Sequence, residues 1–159
     1  MAQLHKLGFE AEINCNADKF FGMFSHGVTQ LPKFLPNIVK SVEVIEGVAT
    51  SIGSSRLVKY VIGSRSRPAK ARLTAFDKEK KSVGYNVVDG EVMNYYEVLT
   101  VKLDVVGGAG NGSLVKWSLE FEKVNNDVPS PTAYTQIGHQ VAEFSNLLNT
   151  MHTTIIKKF

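Results

Sequence analysis

The sequence has little that would support a disulfide, a metal site or a membrane span. Its 159 residues include one cysteine, Cys15, which excludes an intrachain disulfide, and four histidines without zinc-ligand spacing. No stretch approaches the ~20 apolar residues that cross a bilayer, and residues 1–15 contain no hydrophobic run of signal-peptide length. We therefore expect a cytoplasmic protein with no metal, no cofactor and no membrane insertion.

The net charge is also small. A charge of +3 does not by itself indicate nucleic-acid binding, although basic residues are concentrated between positions 59 and 81. This stretch is either a solvated hairpin or a patch that attracts anionic ligands, membranes or RNA. Aromatic side chains that could stack on bases are not interleaved with these charges, so we expect no nucleic-acid partner. The basic residues are Lys59, Arg65, Arg67, Lys70, Arg72, Lys78, Lys80 and Lys81.

Alternating strands fill most of the chain. Residues 6–13 alternate polar and apolar side chains, and this period of two predicts a half-buried strand. A short helical segment follows, rich in phenylalanine, and Pro32 and Pro36 are expected to break what comes after it. From residue 41 to 122 six further alternating runs are separated by bends or turns, including predicted turns at 63–68 and 107–112. Such a series predicts an antiparallel meander with one dry face.

The end of the chain changes to a helical period. From about residue 132 to 158 the apolar residues recur at spacings of three and four, which predicts one helix of about 40 Å at ~1.5 Å per residue. The chain has the length of a single domain, residues 1–159. The predicted fold is α+β, a seven-stranded curved antiparallel sheet wrapped around this helix. The apolar stripe consists of Tyr134, Ile137, Val141, Phe144, Leu148, Met151 and Ile155.

The pattern leaves open whether the space between sheet and helix is filled or hollow. One helix can cover the dry face of seven strands only if the sheet is strongly curved. Ala69 and Ala71 face inward opposite larger side chains, which favours a cavity. Protein interiors normally pack to crystal density, which favours a filled core.

Short motifs along the whole chain resemble one known family. They are Leu31-Pro32-Lys33, 41–47, 53–57, 85–90, Tyr95-Tyr96, 112–117 and 121–123. Their order and spacing resemble the major latex protein branch of the birch pollen allergen superfamily, also called pathogenesis-related class ten. This resemblance implies a helix-grip fold, with two short helices under the sheet and a large hydrophobic cavity. It also implies that the chain is similar to carriers of plant hormones and metabolites, and to relatives that isomerise or cyclise such compounds.

One loop departs from the family pattern. Residues 46–53 keep only their end glycines, Gly47 and Gly53, and lack the Gly-Lys-Ser/Thr ending of a nucleotide-binding loop. We therefore expect a structural hairpin loop there.

Strand parity and the helical stripe predict the residues of the ligand site. Ligand pockets have mostly apolar walls with a few placed polar groups. The predicted ligand-binding residues are Phe9, Phe24, Arg56, Val58, Ala71, Val83, Leu99, Val101, Trp117, Tyr134, Ile137, Val141 and Phe144.

Four residues are candidates for proton transfer. Tyr60 and Tyr85 could donate a hydrogen bond to a carbonyl or an enolate, or could simply be packed. Glu97, like Arg56, shares the parity of inward residues, so it either reaches water at a strand end or meets the ligand. His152 lies on the apolar stripe and could act as a general base, or could lie at a solvated helix end.

Two functions compete. The first is a carrier or buffer of small hydrophobic plant metabolites, which is consistent with the absence of a nucleophile triad or paired catalytic carboxylates. The alternative is an isomerase or cyclase of a reactive metabolite, such as an iridoid enol or alkaloid intermediate, without a metal or nucleotide cofactor. An RNA-binding defence role for the basic hairpin ranks last, and the sequence assigns no oligomeric state.

Overall fold

The computed structural model describes residues 4–62, 65–107 and 112–150, with side chains described as far as residue 141. Within these ranges the chain forms seven strands, three α-helices and two short 3-10 helices. The strands are β1 (His5–Ile13), β2 (Val39–Glu46), β3 (Ser55–Ile62), β4 (Arg65–Asp77), β5 (Ser82–Gly90), β6 (Tyr96–Gly107) and β7 (Ser113–Lys123). The helices are α1 (Ala17–Phe24), α2 (Leu31–Phe34) and α3 (Thr132–Thr150), with 3-10 turns at Val28–Gln30 and Glu91–Asn94.

All seven strands belong to one antiparallel sheet in the order β1-β7-β6-β5-β4-β3-β2. Strands β2 to β7 form a meander, and its last strand, β7, pairs with β1 at the start of the chain. Register shifts interrupt β2, β4 and β6, and such irregularities bend a strand and increase its twist. The predicted seven-stranded curved sheet with a C-terminal helix is confirmed.

Local sequence explains where α1 and α2 begin. The Asn16 side chain accepts hydrogen bonds from the backbone N–H groups of Asp18 and Lys19 and so caps α1. Pro32 does not interrupt helical structure as predicted, because it occupies the first turn of α2. A missing N–H there leaves no helical hydrogen bond unmade. Pro36 follows directly after the C-cap residue Leu35, so it lies outside the helix.

The predicted turn at 63–68 is wrong in its extent. Strand β4 already begins at Arg65, and Pro68 pairs with Lys59 in the β3–β4 ladder. Pairing of β4 with β5 starts only at Ala69, so Pro68 lies where β4 has one neighbouring strand. A proline is tolerated there because its missing donor leaves no bond unmade on the open side.

The loop between β2 and β3 is the structural hairpin loop that its sequence suggests. Gly47 and Gly53 have φ angles of 74° and 94°, in the left-handed region that favours glycine. These are the two end glycines that the loop retains.

The three α-helices pack on the inner face of the sheet. α1 contacts β6, α2 contacts β2, and α3 runs across β1 and β7. The predicted helix is described as far as Thr150, and the remainder of its predicted length, 151–158, lies outside the described residues. No helix in the described ranges is both long and apolar enough to cross a membrane.

Candidate ligand-binding cavity

An internal cavity of about 170 Å³ lies between the sheet and the helices. An apolar cavity of about 150 Å³ is enough to hold a benzene-sized guest. The space that the alternation pattern left undecided is therefore present. The predicted site residues that line it are Phe24, Arg56, Val58, Tyr60, Ala71, Tyr85, Val101, Trp117, Tyr134, Ile137 and Val141.

The cavity arises where small side chains of β4 lie opposite β3. Ala71 pairs with Arg56, and Ala69 pairs with Val58, so two methyl groups occupy positions at which larger residues would fill the interior. The resulting wall is almost entirely apolar, and its polar groups belong to one arginine, three tyrosines and one tryptophan.

Several lining residues were not among the predicted site residues. Ala69 was recognised as inward-facing, and Val87 follows the parity of Tyr85, so their alternation carried a signal. The remainder come from α2, its neighbouring turns and the bulged strand β2, where neither strand nor helix periodicity is regular. The additional lining residues are Val28, Leu31, Leu35, Val39, Val42, Ala69 and Val87.

Arg56 is the one charged residue in the described cavity wall. It is only 1% exposed, and its Nη2 donates to the Ala49 carbonyl oxygen at 2.8 Å and to Ser54 Oγ at 2.9 Å. Both acceptors belong to the β2–β3 loop. The guanidinium also lies over the ring of Tyr85, 5.1 Å from its centroid. The side chain therefore fixes the loop on one side and borders the cavity on the other.

Tyr85 connects the sheet with the end of α1. Its hydroxyl donates to the Phe24 carbonyl oxygen at 2.8 Å. Burial raises the pKa of Tyr85 to about 12, while the positive charge of Arg56 acts in the opposite direction. The hydroxyl is thus neutral at physiological pH, and its proton is already used in a hydrogen bond within the protein.

A second polar group is formed by Tyr60 and Tyr134, whose hydroxyls are hydrogen-bonded to each other. Burial raises the pKa of both phenols, with Arg67 opposing the shift. Each hydroxyl has one proton, and only one of the two donates in this bond. The accepting hydroxyl therefore keeps its own O–H proton for another partner. Tyr60 lies four residues from Arg56 on β3, or about 13 Å at ~3.3 Å per residue.

Glu97 does not face the cavity, and the predicted inward orientation is wrong. The β6–β7 register shifts between Tyr96 and Val98, so that Glu97 is the extra residue of a bulge. Because a bulge changes the alternation of side chains, Tyr96 is buried while Glu97 is exposed. Counting alternate residues back from Leu99 therefore assigns Glu97 to the wrong face of the strand.

Three other predicted residues are inward but lie in filled parts of the core. Val83 is fully buried in the cluster with the α1 phenylalanines, and Leu99 packs with Tyr96 and Phe121 in a second cluster. Phe9 stacks on His139, with ring centroids 3.8 Å apart. The cavity therefore occupies only part of the dry face. The Phe144 side chain and His152 lie outside the part of the chain whose side chains are described.

A curved sheet with helices packed on its inner face and a cavity between them is the fold of a known protein family. Residues 2–157 match the pathogenesis-related protein Bet v 1 family. The chain belongs to the Bet v 1 family. Its relatives include major latex protein 146 of Papaver somniferum, which is 34% identical over 139 residues, covering 87% of this chain and 86% of that protein. The resemblance to major latex proteins is confirmed.

Solved structures of other proteins have the same fold. Ginseng major latex-like protein 151 from Panax ginseng superposes with a TM-score of 0.86 at 27% identity, covering 92% of this chain and 97% of that chain. A norcoclaurine synthase from Thalictrum flavum, solved with a transition-state analogue, has a TM-score of 0.75 at 19% identity, covering 97% of this chain and 99% of that one. The second likeness shows the fold alone.

Proposed function

We propose that the protein binds small hydrophobic plant metabolites in the cavity and acts as their carrier or buffer. The observation that carries this proposal is the apolar space of about 170 Å³ between β3, β4 and the helices. An apolar guest that enters this space exchanges water for an apolar wall, which contributes roughly 25 cal/mol for each Å² of apolar surface buried.

The polar groups of the cavity also favour binding over chemistry. Tyr85 uses its hydroxyl proton on the Phe24 carbonyl, and Glu97 is exposed outside the cavity. The structure describes three of the four residues predicted for proton transfer. Among these three, Tyr60 lies in the cavity wall and has a second hydroxyl as its hydrogen-bond partner. Membership of the Bet v 1 family, whose proteins bind small hydrophobic ligands, supports the same function.

The test is titration with N-phenylnaphthylamine, a neutral dye that fluoresces in apolar surroundings. We expect saturable binding to one site, with competition by apolar metabolites. Ala71→Leu fills the cavity and should weaken binding about tenfold, equivalent to about 1.4 kcal/mol. Ala75→Leu makes the same change at an exposed position of β4 and should leave the affinity within about twofold.

Two outcomes contradict the proposal. One is the absence of saturable binding by the folded protein. The other is an equal effect of Ala71→Leu and Ala75→Leu, because the dye would then bind on the surface.

A second candidate function is cyclisation or isomerisation of a reactive enol or iminium precursor. The hydroxyl pair of Tyr60 and Tyr134 favours it, because one O–H proton of the pair is available to stabilise an enolate or a carbonyl oxygen. A norcoclaurine synthase with the same fold supports the idea that such a scaffold can host an enzyme. Product ratios from a reactive precursor should change when the protein is added, and should revert in the double variant Tyr60→Phe/Tyr134→Phe, which removes both O–H protons of the pair. Identical ratios with and without protein would exclude this function.

A further inference from the structure

The guanidinium of Arg56 has more N–H groups than the protein satisfies. Nη2 uses its two hydrogens on the Ala49 carbonyl and the Ser54 hydroxyl. A guanidinium carries five N–H donors, so one on Nε and two on Nη1 remain. Within the described part of the chain, neither nitrogen has a hydrogen-bond partner, although both are buried. Arg56 is among the residues that line the cavity.

The charge of Arg56 is likewise uncompensated by an anion. Arginine stays protonated in proteins, and an unpaired buried charge is costly. No carboxylate lies within ion-pair distance of it among residues 4–62, 65–107 and 112–141, and each of the described ion pairs involves other residues. The face of the Tyr85 ring offers a partial substitute, but it contacts the flat side of the guanidinium and accepts none of the N–H groups in its plane.

Anchoring the β2–β3 loop does not account for this arrangement. Both loop contacts involve Nη2 alone, so the anchor needs only one of the three nitrogens. A neutral amide side chain could make such contacts without burying a charge. The remaining donors and the charge point to an occupant of the cavity.

We propose that the preferred guest is an apolar carboxylic acid, bound as the carboxylate. The carboxylate accepts from Nη1 and Nε of Arg56, and the apolar body of the guest lies along Val58, Ala69 and Ala71. This inference rests on the proposed ligand-binding function and adds the chemical class of the ligand. Hydrogen bonds between charged partners are stronger than those to a neutral group, so the site selects an acid over its neutral analogue.

The test compares octanoate with octanamide as competitors of bound N-phenylnaphthylamine at neutral pH. The two compounds share a chain and differ in the charge of one end. We expect octanoate to bind wild-type protein at least about tenfold more tightly. In Arg56→Gln this preference should fall to within about twofold, while the affinity for octanamide should change by less than about threefold.

Arg72→Gln is the matched control. Arg72 is an exposed arginine of β4, paired in register with Ser55, and lies outside the cavity wall. This variant should keep the preference for octanoate.

The outcomes separate the two proposals. If N-phenylnaphthylamine binds but wild-type protein does not distinguish octanoate from octanamide, the inference about acids is overturned and ligand binding stands. Loss of the preference in Arg72→Gln but not in Arg56→Gln overturns it as well. If nothing binds saturably, both proposals fail. If Arg56→Gln does not fold, the inference is tested by the wild-type comparison and by Arg56→Lys. This variant keeps the charge and should keep a preference for the acid.

Discussion

The guanidinium of Arg56 lies over the ring of Tyr85, 5.1 Å from its centroid, and each residue is held by the backbone of a different element. Arg56 donates to Ala49 in the β2–β3 loop, and Tyr85 donates to Phe24 at the end of α1. A continuous path of contacts therefore joins this loop to the first helix through the cavity wall.

Removing the Tyr85 hydroxyl should destabilise the protein without disturbing the stacked ring. Tyr85→Phe keeps the aromatic face beneath Arg56 but leaves the Phe24 carbonyl without its side-chain donor. We expect the free energy of unfolding, measured by urea denaturation at neutral pH, to fall by about 1 kcal/mol. An unchanged midpoint would show that the hydrogen bond contributes nothing to the junction of α1 with β5.

Stability should decrease in alkaline solution over a defined interval. Burial raises the pKa of Tyr85 from 10.0 to about 12, so between these values the folded chain keeps a proton that the unfolded chain releases. This contribution is fully present below pH 10.0 and is lost as the pH rises towards about 12. Burial also raises the pKa values of Tyr60, Tyr96 and Tyr134, which act with the same sign. Urea denaturation at a series of pH values should show this decline, and a smaller decline in Tyr85→Phe.

The hydroxyls of Tyr60 and Tyr134 should be energetically coupled. Tyr60→Phe and Tyr134→Phe each remove the same hydrogen bond, so the double variant should lose less stability than the sum of the two. We expect a coupling free energy of about 1 kcal/mol from urea denaturation of all four proteins. Strict additivity would mean that the two hydroxyls are hydrated independently.

Gly138→Ala should destabilise the protein, although alanine is the better helix former. A Cβ atom there would lie 2.7 Å from Phe9 Cε1 and 2.9 Å from Trp117 Cδ1, so α3 would have to move away from β1 and β7. Overpacking of this kind costs about 1–3 kcal/mol, which exceeds the gain in helix propensity of about 1 kcal/mol. Gly107→Ala, where the added atom meets nothing within 4 Å, is the control and should be nearly neutral. A higher melting temperature for Gly138→Ala would show that propensity outweighs packing at this crossing.

Glu97→Gln should leave binding and any catalysis unchanged. Glu97 is exposed at the bulge of β6 and lies outside the cavity wall. We expect the affinity for N-phenylnaphthylamine to stay within about twofold and stability within about 0.5 kcal/mol of wild type. A large loss of activity would place the carboxylate near a bound ligand and restore its predicted inward role.

Most of the sheet could be predicted from the sequence because alternation is a local property. Strand β1 alternates half-buried and exposed residues from His5 onward and ends at the buried Ile13, as its pattern indicates, and its register places Phe9 opposite Trp117. The same logic placed Arg56, Val58 and Tyr60 together on the cavity side of β3.

The failures lie where a non-local contact overrides the local period. A bulge turns Glu97 outward, the α1 phenylalanines fill the space beside Val83, and Phe9 stacks on His139. Each of these depends on residues that are far away in sequence, whereas local periodicity reflects only neighbouring residues.

The sequence by itself determined the number of strands, their faces, the final helix and the family, since these follow from side-chain period and from motifs spread along the chain. Only the tertiary structure decided which part of the dry face stays hollow. A cavity depends on the difference between the volume that the elements enclose and the volume of the side chains inside it. That difference is set by how Ala69 and Ala71 meet the opposite wall, and by how the β2–β3 loop holds Arg56 at its edge.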